Sequence, residues 1–226
     1  MANRDYIVFD FETGSRNPHK TQPTQIAALA LDGRNLSMKG TFNSEIRPIL
    51  SDDAAIAAGL DPIEDGALKV TGKNRDDLAK APTLKSVWRK FCTFVDKYNW
   101  KKDPFFNPIP VGFNIIGFDM IIINRLCKEY GPYDDARQQQ KMFSKIHKCD
   151  VMDNMHMWTE GDPSIRSISM DSLRDRMGLS SENAHDALQD VKDTANIFIK
   201  LLKTHRAVYQ EIELDKAFAN GKLYVK

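Results

Sequence analysis

The stretch VFDFETG at 8–14 carries Asp10 and Glu12 two residues apart in an apolar run that predicts a buried strand. Side chains alternate across a strand, so the acids share a face with Tyr6 and Val8, while Ile7, Phe9 and Phe11 fill the other. At roughly 3.3 Å per residue the carboxylates stand about 6 to 7 Å apart, a spacing that could bracket metal ions at the strand's C-terminal end. Solvated acids at a fraying tip would show the same pattern. Asp119 heads a predicted helix whose core positions are Ile122, Ile123 and Leu126, which turns it toward the core. An Asp there is also a good helix cap, and taken alone the cap is the simpler reading. In the last helix Leu188, Val191, Ala195, Phe198 and Leu202 form an apolar stripe, widened by Thr194, Ile197 and Leu201. Asp190 falls inside that arc, whereas Asp186, Asp193, Lys192, Asn196, Lys200 and Lys203 fall on the polar one. His185 precedes Asp190 by five residues and can share a site with it only from the helix entrance. A lone histidine at such a junction is usually structural.

The elements that must position these groups read as mixed α/β. Three strands, 6–11 (YIVFDF), 24–31 (TQIAALAL) and 38–46 (MKGTFNSEI), form a meander separated by polar turns. Short helical turns fill 51–82, and 83–98 spaces Val87, Phe91, Phe94 and Val95 as an amphipathic helix. A strand at 109–113 and a helix at 118–130 follow. The pattern then predicts a helix over 134–148, a last strand at CDVM (149–152), a helix at 169–178 stopped by Gly178, and a long helix from about 186 to 205. No repeat or long linker divides the chain, so one domain over 1–226 is expected.

Composition allows this and excludes several classes. With 226 residues, 42% of them hydrophobic, the chain can bury a sizeable core. The 32 Lys and Arg nearly cancel 31 Asp and Glu, so a nucleic-acid partner would have to be gripped locally. Three cysteines without close ligand spacing argue against a disulfide framework or a zinc motif and fit a reducing cytoplasm. The longest apolar run, IAALAL, is far short of the ~20 residues that span a bilayer, and MANRDYIV has no secretory pattern. A soluble, cytoplasmic protein with no membrane partner is expected.

Taken in order, DFETG at 10–14, GFNIIGFD at 112–119 and AHDALQDVKDT at 184–194 resemble the three motifs of the DEDDh 3′-to-5′ exonucleases. The segment at 61–84 also looks like that family's link between third strand and first long helix. The likeness runs from residue 8 to about 204, giving a motif-bearing core at about 5–204 and a short C-terminal extension. Asn114 stands five positions before Asp119 where many members have four, a feature similar to the bacterial or phage single-strand DNA exonuclease branch. The resemblance implies a ribonuclease H-like three-layer α/β fold, a central mixed five-stranded sheet flanked by helices. It also implies that Asp10, Glu12, Asp119 and Asp190 hold two divalent ions, with Asp10 bridging, for hydrolysis of a terminal phosphodiester to a nucleoside 5′-monophosphate. Oxygen ligands suit Mg²⁺, with Mn²⁺ able to substitute. Without a cation, four clustered carboxylates would raise one another's pKa. His185, with an ordinary pKa near 6.5, takes the general-base role in this reading.

Substrate contacts are assigned to Phe11, Thr13, Asn114 and the basic segment 136–148, which carries Arg137, Lys141, Lys145 and Lys148 without an acid. Strand core is the plain reading of Phe11, and a solvated face that of the basic run. Arg16, His19 and Lys20 form a second basic cluster. The expected substrate is the 3′ end of single-stranded nucleic acid, DNA favoured, degraded without regard to sequence. An exoribonuclease, a polymerase-associated proofreading subunit, or a non-catalytic binding module on the same fold are the alternatives. All five catalytic positions are filled, which disfavours the last.

Overall fold

The computed structural model describes residues 4–179 and 186–211. In chain order the elements are β1 (Tyr6–Thr13), β2 (Pro23–Leu31), β3 (Met38–Glu45), α1 (Asp52–Ala57), α2 (Asp65–Thr71), α3 (Arg75–Lys80), α4 (Leu84–Asp96), β4 (Ile109–Gly112), α5 (Asp119–Tyr130), β5 (Tyr133–Asp134), β6 (Gln139–Gln140), β7 (Cys149–Asp150), α6 (Val151–Thr159), α7 (Met170–Met177) and α8 (Ala187–Glu211). One mixed sheet of five strands runs β3-β2-β1-β4-β7. Its first three strands are antiparallel, and β4 and β7 add in parallel on the far side of β1.

Helices cover both faces of the sheet, as the resemblance implied. Ile7, Phe9 and Phe11 pack with Val87, Phe91 and Val95 of α4 and Ile122, Ile123 and Leu126 of α5. Val8, Ala27, Leu29 and Val111 meet Val151 and Met155 of α6, Leu173 of α7 and Val191, Ala195 and Phe198 of α8. Strand β2 is buried along its whole length, and the small side chains of Ala27, Ala28 and Ala30 let helices approach from both sides. Polar groups end the helices as their sequences suggest. Thr83 caps α4, Ser169 caps α7, and Gly178 closes α7 at φ +64°, a left-handed backbone that glycine adopts without a Cβ clash.

Three expectations are corrected. The predicted helix over 134–148 is instead a short hairpin followed by turns, with Tyr133 opposite Gln140 and Asp134 opposite Gln139. Pro132 withholds a backbone donor ahead of it, Gln138 turns the chain at φ +51°, and the Asp134 carboxylate accepts from the Arg137 N–H at 3.3 Å. Core contact there comes from the adjacent Met142 and Phe143, a spacing with no helical period. The last strand is also shorter than CDVM: Asp150 ends it and caps α6 by accepting from the Met152 N–H, so Val151 and Met152 are helical. Finally, Asp193 is not on a solvated arc but 3% exposed and ion-paired.

Candidate active site

Strand β1 continues regularly through both acids, with Asp10 opposite Ala27 and Glu12 opposite Gln25, and its ladder shifts only after Glu12. The acids therefore stand on an ordered strand, not on a frayed tip. They share the face of Val8, against which α8 lays Val191 and Ala195. Asp190, one residue ahead of Val191, is thereby brought over them. One carboxylate oxygen from each of Asp10, Glu12 and Asp190 lies within 4.8 Å of the others. Three oxygens no more than 4.8 Å apart can all be reached from one point within about 2.8 Å, so a small inward shift brings them to the roughly 2.0–2.6 Å of hard divalent ions. The donor set fits Mg²⁺ or Mn²⁺ and lacks thiolate or imidazole among the described residues.

Asp119 serves neither as a free acid nor as a cap. Its carboxylate, 3% exposed, reaches back across the sheet and accepts from the Phe11 N–H at 3.1 Å, while the cap position of α5 is Phe118. That bond fixes the start of α5 to β1 between the two catalytic-motif acids. Asp119 stands outside the trio but close enough to Asp10 for that carboxylate's charge to add to burial in raising the Asp119 pKa.

Electrostatics decide what the cluster can hold. At an effective dielectric of 20, two carboxylates 4.8 Å apart repel by about 3 kcal/mol. Three such pairs approach the whole stability of a domain, on the order of 5–15 kcal/mol. Burial, and then Asp190, push Asp10 up to about 7, and burial, and then Asp10 and Asp190, push Glu12 up to about 8. Burial holds Asp119 well above the usual carboxylate range. The expected mutual repulsion is therefore present, but a protein cation offsets part of it. Arg174 of α7, 1% exposed, donates from Nη2 to Asp190 at 2.5 Å, from Nε to Asp193 at 2.8 Å and from Nη1 to Asp171 at 3.0 Å. Gln189 donates to the other Asp193 oxygen at 2.9 Å. Arg174 lowers the Asp10 pKa and holds Asp190 in place.

A second set of contacts braces the surroundings. Asp150, at the end of β7, accepts from the Asn114 N–H at 3.0 Å and the Ile116 N–H at 3.1 Å, shaping the loop that delivers Asp119. Asn114 itself turns that loop at φ +55°, and Gly117 leaves room for its side-chain oxygen, which a Cβ would meet at 2.8 Å. Gln25, opposite Glu12, accepts from Lys73 at 2.6 Å and donates to Asp186 and Asn43, each at 2.9 Å. Lys73 lowers the Glu12 pKa and Asp186 raises it. None of Arg174, Asp150, Lys73 or Gln25 stood out in the sequence. Arg174 could have been found, since it lies four residues after Met170 and three before Met177, on the apolar stripe of its helix.

Of the substrate-side residues, Phe11 has its ring in the core, edge-on to Phe9 at 6.2 Å, so the strand-core reading describes that ring. Thr13 donates to the Ser15 carbonyl at 3.0 Å and, with Glu12, Arg16, Glu64, Val70 and Phe118, lines a cavity of about 650 Å³ beside the acids. The basic run is split. Arg137 and Lys145 both approach Asp134, at 3.7 and 3.5 Å, and Lys141 lies in a separate recess with Asp96 and Lys102. Lys145 and Lys148 line a groove along α5. His185 lies outside the described residues.

Comparison with known proteins agrees with this geometry. DNA polymerase III subunit epsilon of Aquifex aeolicus is 23% identical over 203 residues, 90% of this chain and 83% of that protein. E. coli exonuclease I in complex with a dT13 oligonucleotide superposes with a TM-score of 0.69 at 19% identity, over 92% of this chain and 43% of that one. The zinc-bound form of the E. coli exonuclease I–ssDNA complex gives 0.66 at 21%, over 90% and 41%. The chain thus spans less than half the length of exonuclease I. No helix among the described residues is long and apolar enough to cross a membrane. The RNase_T exonuclease family matches residues 7–198, and the chain belongs to that family of DEDDh-type 3′-to-5′ exonucleases, with the ribonuclease H-like fold.

Proposed function

We propose that the protein acts as one exonuclease domain that removes nucleoside 5′-monophosphates from the 3′ end of single-stranded DNA, using two Mg²⁺ ions for which Mn²⁺ can substitute. The convergence of Asp10, Glu12 and Asp190 within 4.8 Å carries this reading, because a half-buried trio of acids is costly without a cation and suited to one. Asp119, tied to the backbone between the two motif acids, completes the ligand set. Bound ions would supply a nucleophile from water and stabilise the leaving 3′-oxygen. His185 then accepts the water's proton. Asp186 accepts from Gln25, which stands opposite Glu12 in the sheet.

The cavity beside the acids takes the terminal nucleotide, with Thr13 at its mouth and Val70 and Phe118 as apolar surfaces. Asn114 shapes the loop at the cavity's edge, and the Phe11 backbone fixes Asp119. DNA is favoured because E. coli exonuclease I, a solved structure that this chain resembles, was captured on a dT13 oligonucleotide. RNA is the second reading, since a catalytic core that acts on the phosphate is indifferent to the sugar. The three free cysteines, Cys127 fully buried, suit a reducing cytoplasm. Matched DNA and RNA oligonucleotides, labelled at the 5′ or the 3′ end, test polarity and sugar together. Faster stepwise shortening of the 5′-labelled DNA, with immediate loss of 3′ label, is expected; equal or faster RNA decay would move the assignment to an exoribonuclease.

A further inference from the structure

Along α5, away from the acids, runs a groove of about 560 Å³ whose walls carry Arg125, Lys128, Lys145, Lys148 and His19 and no aspartate or glutamate. We propose that this groove holds the phosphates of a single-stranded polynucleotide upstream of its 3′ end. The inference rests on the exonuclease reading and adds the path of the strand.

Continuity with the site comes from two elements. Asp119 is the first residue of α5, and Met120, Asn124 and Lys128, with Ile121 and Arg125, form the next positions of one helical stripe facing the groove. The loop 14–22 is the second. Its Ser15 and Arg16 wall the cavity beside Glu12, its His19 walls the groove, and Arg125 binds it to α5 by donating to the His19 carbonyl at 2.9 Å and to the Thr21 carbonyl. The two recesses therefore share one wall.

Charge identifies the occupant. Lys128 and Lys148 are exposed and enter no ion pair among the described residues, and Arg125 spends its hydrogen bonds on backbone carbonyls, with Glu129 and Asp61 acting on its charge only from beyond ion-pair distance. Lys145 shares Asp134 with Arg137. A protein with a formal net charge of +1 thus concentrates unpaired cations along one line that begins at its metal-binding acids. From Met120 to Lys128 the helix rises about 12 Å, room for about three stacked nucleotides at about 3.4 Å each. The apolar floor, Met120 and Ile121, offers no aromatic ring for stacking, so the grip is on phosphate and indifferent to base.

Fluorescence anisotropy with a twelve-nucleotide oligothymidylate in chelator, from about 50 to 200 mM salt, measures the phosphate contacts without turnover. Each neutralised phosphate contributes about 0.7 to the slope of log K against log salt for single strands. K128Q/K148Q should lower the slope by about 1.4, so that over this range the wild type loses about sevenfold more affinity than the variant. K85Q/K90Q, an equal charge change on α4, should leave the slope within about 0.3. In Mg²⁺, the ratio of kcat/KM on the twelve-mer to that on a thymidine dinucleotide should fall several-fold for K128Q/K148Q. An unchanged slope in the groove variant, or an equal fall in both variants, overturns the path. A wild type that hydrolyses neither substrate overturns the exonuclease reading instead, since the chelator slopes report the groove alone.

Discussion

A buried arginine facing three acids is the residue on which the metal-free site most depends. Removing one partner of a buried ion pair typically costs about 3–5 kcal/mol, because the charge left behind has lost its water. Arg174→Met would strand Asp193 with Gln189 alone and release Asp190 toward Asp10 and Glu12, so urea melts in chelator should show a loss in that range. Arg174→Lys keeps the charge but not the fork and should fall between the two. An unchanged midpoint for Arg174→Met would show the triad to be incidental. The raised acids predict a pH dependence of definite sign. Between the unfolded values of about 4 to 4.5 and the folded values of about 7 for Asp10 and about 8 for Glu12, the folded state binds more protons, so metal-free stability falls as pH rises through that window. Mg²⁺ binds the charged form and should raise Tm more at pH 8 than at pH 5, as read by thermal melts with and without chelator. A metal-free Tm that climbs from pH 5 to 8 would contradict the arrangement.

At the scale of elements, the site is a meeting of strand ends and helix starts, and the braces are as specific as the acids. Asp150→Ala removes acceptors for the Asn114, Ile116 and Met152 N–H groups. Leaving buried donors unsatisfied costs about 1–3 kcal/mol each at most, so a destabilisation of a few kcal/mol is expected. The displaced loop should lower kcat by more than tenfold while leaving the fold intact by circular dichroism; wild-type kcat would deny Asp150 its positioning role. The sequence reveals strands, α4, α5, α7 and α8 because each has a clean period and a cap. Asp190 is legible for the same reason, as an acid on an apolar stripe. Segment 134–148 misleads because its basic residues carry no period, and its fold is set by Pro132, the Asp134 turn and two adjacent core residues. Asp193 misleads because its partner, Arg174, comes from another helix, and pairing across elements leaves no local trace. Asp119 reads as a cap for a like reason: its carboxylate accepts from the Phe11 N–H, 108 residues away.

For the molecule as a whole, one sheet carries the acids at the end of its central strand, under α8, while two recesses share the 14–22 loop as a wall, one of about 650 Å³ and one lined with cations. The chain matches less than half of exonuclease I. We propose that the convergent carboxylates hold divalent ions that drive hydrolysis at the 3′ terminus. The most direct test is product analysis on a 5′-labelled single-stranded oligonucleotide with Mg²⁺, with chelator, and with Asp10→Ala in Mg²⁺. Stepwise release of nucleoside 5′-monophosphates that drops at least about a thousandfold under both chelator and Asp10→Ala is predicted. Internal cuts, or shortening that survives both, would contradict it.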